Sequence, residues 1–99
     1  MKTTKLIDST LDWAVAKCEG VTLTHGLTDD ERYSTDWAQG GPIIEREKLN
    51  IEPISNINGD QWVSDGVWYG PTPLIAAMRC YVASKLGDKV EIPEKFKLI

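Results

Sequence analysis

The sequence predicts a small α+β domain in which two helices pack against an antiparallel sheet. Three observations support this prediction. Apolar residues recur at spacings of three and four in two stretches, about residues 4–19 and 73–86, as amphipathic helices require. Short alternating segments and turn dipeptides lie between these stretches. The chain has 99 residues, 41% of them hydrophobic and 26% charged, which is enough for a single domain over 1–99 with its own core.

The first predicted helix covers about residues 4–19. We expect Thr3 or Thr4 to cap its start, and Gly20 to end it in a left-handed conformation. Asp12 is expected to lie off the apolar face, and Trp13 at its edge. The predicted apolar stripe consists of Ile7, Leu11, Ala14, Val15 and Cys18.

The middle of the chain is predicted to form strands and turns. A short strand is expected over residues 21–25, followed by a polar connection over 26–32. Residues 43–51 are predicted to be a second strand, although Glu45 and Glu47 interrupt its alternation. The stretch 53–60 is rich in turn-forming residues.

A β-hairpin is predicted over residues 61–69. Asp65 and Gly66 suit the positive φ angles of a two-residue type I′ turn. That turn would place Trp62 opposite Tyr69 on the neighbouring strand.

The second predicted helix covers residues 73–86. Thr72 is expected to cap it, Pro73 to occupy its first position and Gly87 to stop it. Both helices are expected on one face of the sheet, which leaves the other face open or covered by a second subunit. A homo-oligomer is therefore predicted. The apolar stripe of this helix is Leu74, Ile75, Met78, Tyr81, Val82 and Leu86.

Composition excludes several classes of function. The net charge of −4 and the scattered basic residues argue against an extended nucleic-acid interface. No apolar run reaches the length of a membrane span, and no secretory signal is visible, so we expect no membrane association and a cytoplasmic location. Cys18 and Cys80 are expected to be reduced thiols. No zinc-binding spacing or cofactor motif is present, so no cofactor is predicted.

Catalytic motifs are also missing from the sequence. There is no nucleophile elbow, phosphate loop or dinucleotide fingerprint. His25 is the single imidazole, and as a base it would need a nucleophile and an orienting acid close by. Asp29, Asp30 and Glu31 could supply the acid, but a run of acids after a strand is more typical of a solvated turn. These features favour a binding protein over an enzyme.

The segment from Tyr33 to Pro42 is the strongest candidate for a binding site. An aromatic ring stands at each side of a group of hydrogen-bonding side chains, and two glycines and a proline then predict a turn. Rings and polar groups on a rigid turn are typical of small-molecule pockets. An alternative stays open, in which Trp37 folds back onto the core and the polar groups cap their own backbone.

A planar ligand would be held by stacking and by hydrogen bonds. Trp37 and Trp62 are the preferred stacking rings, and Arg79 or Arg46 would meet a phosphate. The start of the second helix also offers backbone N–H groups to an anion. The predicted ligand-binding residues are Tyr33, Thr35, Asp36, Trp37, Gln39, Gly40, Gly41, Arg46, Trp62 and Arg79.

Three long motifs of the chain resemble a known family. They are LDWAVAK at 11–17, YSTDWAQGGPIIERE at 33–47 and GPTPLIAAMRCYVASKLGD at 70–88. They are similar to the NinX-like family of small proteins from tailed phages and prophages, and the resemblance covers nearly the whole chain except 49–67. It implies a phage protein made inside a bacterium and brings no catalytic residue with it.

The resemblance also suggests a setting for the binding site. Small accessory phage proteins commonly act on host machinery or counter host defence, and some sequester nucleotide-derived immune signals. The hypothesis is therefore a protein that binds an ADP-ribose-type or cyclic nucleotide without cleaving it. The alternatives are an interaction module that inhibits a host enzyme, and a small hydrolase of such a signal.

Overall fold

The structure of the protein is a computed structural model that describes residues 1–21, 31–56 and 59–91. It confirms the predicted α+β class, with a three-stranded antiparallel sheet and one α-helix more than the sequence predicted. Residues 22–25 of the strand predicted over 21–25, with His25, lie outside the described residues. The elements are a 3₁₀ helix (Thr3–Lys5), α1 (Asp8–Cys18), α2 (Trp37–Glu47), β1 (Ile51–Asn56), β2 (Gly59–Ser64), β3 (Trp68–Gly70) and α3 (Pro73–Leu86).

Helix α1 begins later than predicted and ends where predicted. Thr3 does not cap it, because its buried hydroxyl donates instead to the carbonyl oxygen of Gly87 at 2.7 Å. The first turn is closed by Thr10, whose Oγ1 accepts from the Ile7 N–H at 3.1 Å. At the other end, Gly20 has a φ of +78°, as expected of a left-handed residue that terminates a helix.

The apolar face of α1 differs from the prediction at one position. Leu11, Ala14 and Val15 are fully buried, as predicted. Ile7 is 42% exposed, because it precedes the first helical residue and leaves the helical repeat. The predicted stripe is therefore correct only from the first full turn onward.

Helix α2 replaces a predicted turn and a predicted strand. The chain is helical from Trp37 to Glu47 and passes through Pro42, so the strand predicted over 43–51 is wrong. Asp36 caps this helix, since its Oδ1 accepts from the Ala38 N–H at 2.9 Å. The polar segment thus starts a helix that buries Ile43 in the core.

The sheet has the order β1-β2-β3. Strand β1 occupies part of the predicted turn-rich stretch 53–60, which is a second correction. Pro53 is tolerated there because β1 is at the edge of the sheet formed by the described strands, where a missing N–H is least costly.

The hairpin between β2 and β3 is confirmed, but its register is shifted by one residue. Asp65 and Gly66 have the positive φ angles expected of the turn, +52° and +76°. Val67 is accommodated as an extra residue before the strand resumes, so Trp62 lies opposite Gly70 rather than Tyr69.

Helix α3 is the central element of the fold. It packs against the strands on one side, while α1 and α2 pack on α3 itself rather than side by side on the sheet. This position explains why α3 is buried around most of its circumference. Its predicted boundaries are confirmed: Thr72 Oγ1 accepts from the Ile75 N–H at 3.1 Å, Pro73 is the first residue, and the helix stops at Gly87.

The end of the described chain pairs with its beginning. Val90 donates its N–H to the Met1 carbonyl at 2.8 Å, and Lys2 forms a bridge with Lys89. Within the three described ranges, no helix is long and apolar enough to cross a bilayer.

Candidate functional site

A pocket of about 190 Å³ lies where the first turns of α2 and α3 meet. Trp37 is the first residue of α2, and Leu74 and Ile75 belong to the first turn of α3. We call this cavity the Trp37 pocket. Its lining residues are Ser34, Thr35, Trp37, Thr72, Leu74 and Ile75.

The Trp37 indole is the main accessible group of the pocket. It is 53% exposed, so it does not fold back onto the core as one of the two sequence interpretations required. An exposed large ring beside a cavity is available to stack on a planar guest. Leu74 and Ile75 are buried and supply an apolar wall.

The capping interactions of the two helices fix the mouth of the pocket. Asp36 caps α2 and Thr72 caps α3, so the first turn of each helix is held in place beside the pocket. Gln39 strengthens the first of them: its Oε1 accepts from the Arg32 N–H at 2.9 Å, and its Nε2 donates to Asp36 at 3.3 Å. Asp36 and Gln39, both predicted to bind ligand, are thus used in holding the loop and do not line the pocket.

A buried carboxylate lies behind the pocket. The Oδ1 atom of Asp12 accepts from the Ser34 N–H at 2.8 Å and from its hydroxyl at 2.7 Å. Asp12 is only 6% exposed, although the sequence placed it off the apolar stripe of α1. Burial raises the pKa of Asp12, while the two bonds from Ser34 act in the opposite direction.

The two glycines of the predicted site serve the packing of α2. A Cβ on Gly40 would lie 2.4 Å from the carbonyl oxygen of Tyr33 and 2.5 Å from Leu74 Cδ1. Gly40 therefore lets α2 pack closely against the backbone of Tyr33 and against Leu74 of α3. Gly41 has more room, because a Cβ there would lie 3.8 Å from Trp37 Cε3. Tyr33 itself is partly buried against the core.

The predicted phosphate-binding arginines are engaged elsewhere. Arg46 donates to both carboxylate oxygens of Glu19, at 3.0 and 2.7 Å. Arg79 donates to the backbone carbonyl oxygens of Leu6 and Tyr69, each at 2.8 Å. Neither arginine lines the Trp37 pocket.

The remaining predicted stacking residue, Trp62, also stands apart from the pocket. It is half-buried in β2, opposite Pro53 and Gly70. Of the predicted residues, the structure therefore brings only Thr35 and Trp37 into the pocket lining. Their roles in binding stay predictions.

Sequence reasoning missed four lining residues, Ser34, Thr72, Leu74 and Ile75. Thr72 was recognised as a helix cap, the start of its helix as a candidate anion site, and Leu74 and Ile75 as core residues, but nothing local indicates that two helix starts meet. The available signal was the pair of capping motifs, Asp36-Trp37 and Thr72-Pro73. Within the described ranges, no group of His, Cys, Asp or Glu side chains could hold a metal ion.

Comparison with known protein families gives a match over most of the chain. A family model described as Bacteriophage P22, NinX matches residues 2–85. The matched region includes all six residues that line the Trp37 pocket. None of the curated proteins compared with the chain matches it.

Proposed function

Because the chain belongs to the NinX family of bacteriophage P22, we propose that it is a phage accessory protein that sequesters a nucleotide-derived small molecule inside the host cell. The ligand would be an ADP-ribose-type or cyclic nucleotide, bound through its base in the Trp37 pocket and released without cleavage. The single observation that supports this proposal is the exposed indole beside a cavity with hydroxyl and apolar walls. Stacking a base on such a ring contributes about 1–3 kcal/mol.

The size of the pocket limits which part of the ligand enters it. Its volume of about 190 Å³ is below the range of roughly 300–1,000 Å³ typical of pockets for whole drug-sized ligands. A nucleobase fits this space better than a complete nucleotide. The ribose and phosphates would lie near Thr35 and the start of α3, where the positive end of the helix dipole favours negative charge.

The chemistry of the lining supports binding rather than cleavage. The six side chains around the cavity are hydroxyl, indole and aliphatic groups. None of these six is a carboxylate, imidazole, thiol or amine, the usual general bases. The carboxylate of Asp36 is occupied in capping α2.

Calorimetry with AMP, ADP-ribose and a set of cyclic mono- and dinucleotides tests the proposal. We expect at least one of them to release heat with the wild-type protein. Trp37→Ala should weaken that binding about 5- to 150-fold, the equivalent of the stacking energy. Tyr69→Ala is the matched control, because Tyr69 is 50% exposed but does not line the pocket. Absence of binding by every nucleotide, or equal binding by Trp37→Ala, would contradict the proposal.

Chromatography of the nucleotide after binding separates sequestration from hydrolysis. Complete recovery of the intact ligand supports a protein that only binds. Conversion to a product, lost again in Trp37→Ala, would favour the small hydrolase.

An interaction module that inhibits a host enzyme is the second candidate. The observation in its favour is that Val67 and Tyr69 in the hairpin are exposed, as is Trp37. Exposed aromatic residues commonly anchor protein interfaces. A stoichiometric host protein that is captured by the wild type, is lost on Tyr69→Ala and is unaffected by nucleotide would favour this function.

We also propose a homo-oligomer. A shallow pocket leaves most of a nucleotide outside, and a second copy could cover that part. Sedimentation with and without nucleotide would detect the assembly, and a monomer under both conditions would exclude it.

A further inference from the structure

Asp12 is a buried carboxylate with an unusual environment. It lies in the middle of α1, with Leu11 on one side in sequence and Trp13 on the other. It forms no ion pair with any of the described residues. Burying a carboxylate costs free energy because the group loses its hydration, unless hydrogen bonds or a paired charge replace the lost water. The hydrogen-bond partners of Asp12 must therefore offset this cost.

The partner of Asp12 is Ser34, which is 22 positions away in sequence. Both donors of Ser34, the N–H and the hydroxyl, point to the same oxygen, Oδ1. Hydrogen bonds to an ionised acceptor are shorter and stronger than those between neutral groups. The pair therefore attaches the segment before α2 firmly to α1.

Ser34 lies at the start of the pocket wall. It lines the Trp37 pocket itself, and the next residue, Thr35, lines it as well. The N–H groups of Thr35 and Asp36 both donate to the Arg32 carbonyl, at 3.1 and 2.8 Å, which makes this stretch one hydrogen-bonded turn. A displacement of Ser34 would therefore be passed to the start of α2, where Trp37 is the first helical residue.

We propose that Asp12 is a positioning residue of the Trp37 pocket, whose ionised carboxylate holds Ser34 and thereby sets the place of Thr35 and Trp37 against the first turn of α3. This inference deepens the proposed function and rests on it for the identity of the ligand. The positioning of Trp37 is a property of the protein alone, so it is measurable without any ligand.

The proposal implies that a proton on Asp12 disturbs the pocket. The groups that act on this carboxylate are the two donors of Ser34 and the charge of Asp8 on the same helix. Tyr33, next to Ser34, is the neighbouring titratable group on the packed segment. Burial raises the pKa of Asp12, so we expect its protonation to disturb the pocket at a pH above the ordinary aspartate pKa of about 3.9.

Nuclear magnetic resonance of the full chain tests the inference. In the wild type, we expect the amide signal of Ser34 and the indole N–H signal of Trp37 to shift with one common midpoint as the pH is lowered. The indole signal is assigned with Trp37→Phe, and far-UV circular dichroism establishes that the chain stays folded over the range. A Ser34 signal that titrates while the Trp37 signal does not move would overturn the proposal.

Substitutions at Asp12 and Ser34 give a second, independent test of the proposal at neutral pH. Asp12→Ala and Ser34→Ala should move the Trp37 indole signal in the same direction, and the double variant should move it no further than either alone. Asp12→Asn keeps an acceptor and should restore the signal in part. Asp8→Asn, which removes an exposed charge of the same helix and suits the φ of +50° at this position, is the matched control and should leave it unchanged. Equal shifts in Asp8→Asn and Asp12→Ala would count against the proposal.

Binding of AMP separates this inference from the proposed function. If the wild type binds AMP, Asp12→Ala should weaken it about five- to tenfold. Unchanged AMP binding in Asp12→Ala would overturn the positioning role. If no nucleotide binds the wild type, the proposed function fails, while the shared titration of Ser34 and Trp37 still decides the positioning role.

Discussion

The carbonyl oxygen of Tyr33 lies so close to the Cα of Gly40 that a Cβ at position 40 would stand 2.4 Å from it. The same Cβ would stand 2.5 Å from the Cδ1 atom of Leu74. A backbone oxygen cannot turn aside as the end of a side chain can. The contact therefore sets the spacing between α2, the segment before it and α3, the three parts that surround the Trp37 pocket.

Gly40→Ala is expected to destabilise the protein. Alanine favours a helix over glycine by about 1 kcal/mol, but overpacking against a backbone atom costs about 1–3 kcal/mol or more, so the net effect is a loss. Gly41→Ala is the control, since its Cβ would meet Trp37 Cε3 at an ordinary 3.8 Å. That variant should gain about 0.5–1 kcal/mol. Urea unfolding of the two variants measures both effects, and midpoints that shift in the same direction would contradict the packing argument.

The same glycines show what the sequence could and could not predict. The ends of α3 and the C-terminus of α1 depend on local signals, at Thr72, Pro73, Gly87 and Gly20, and these predictions are confirmed. Helix α2 was missed because two glycines and a proline read locally as a turn. Its formation depends on a tertiary contact that only glycine permits, and such contacts leave no periodic pattern.

The lining of the Trp37 pocket could be anticipated only in part for a similar reason. Trp37 and Thr35 could be chosen because ring and hydroxyl stand together in sequence. The partners of Arg46 and Arg79 could not, because Glu19 and Leu6 lie 27 and 73 positions away. Both arginines looked available for phosphate until the fold supplied those acceptors.

Glu19 is expected to make the stability of the protein depend on acid pH. Hydrogen bonds from Arg46, and next the phenol of Tyr81, hold the pKa of this carboxyl below its ordinary value. A lowered folded-state pKa means that the stabilisation is fully present above the unfolded pKa, about 4.3, and is lost as the pH falls through the folded value. Glu19→Gln should therefore be less stable than the wild type at pH 7, and it should lose less further stability as the pH falls below about 4.3.

Urea unfolding as a function of pH measures this difference. Glu45→Gln is the matched control, because Glu45 is exposed on α2 and forms no ion pair with the described residues. Its pH profile should follow the wild type. If Glu19→Gln and the wild type lost stability in parallel below pH 4.5, the cluster of Glu19, Arg46 and Tyr81 would not stabilise the fold through the charge on Glu19.

The two cysteines are expected to react slowly with thiol reagents, and at different rates. Burial raises the pKa of Cys18 and Cys80 to about 11 in each case. At pH 8 only about one thiol in a thousand would then be ionised, and the thiolate is the reactive form. Cys18 is partly exposed, whereas Cys80 is 5% exposed on α3 and its Sγ donates to Asp65 Oδ2 at 3.3 Å.

Ellman's reagent at pH 8 should therefore give two phases in the wild type. Cys18→Ser should remove the faster phase and Cys80→Ser the slower one, and both thiols should react at the rate of free cysteine in denaturing urea. The thiol of Cys80, on α3, contacts Asp65 in the turn after β2. Its rate of reaction with the reagent therefore reports how often the sheet separates from α3. A Cys80 that reacted as fast as Cys18 in the native protein would show that this side of α3 opens easily, and that the central helix is not the fixed support on which the Trp37 pocket depends.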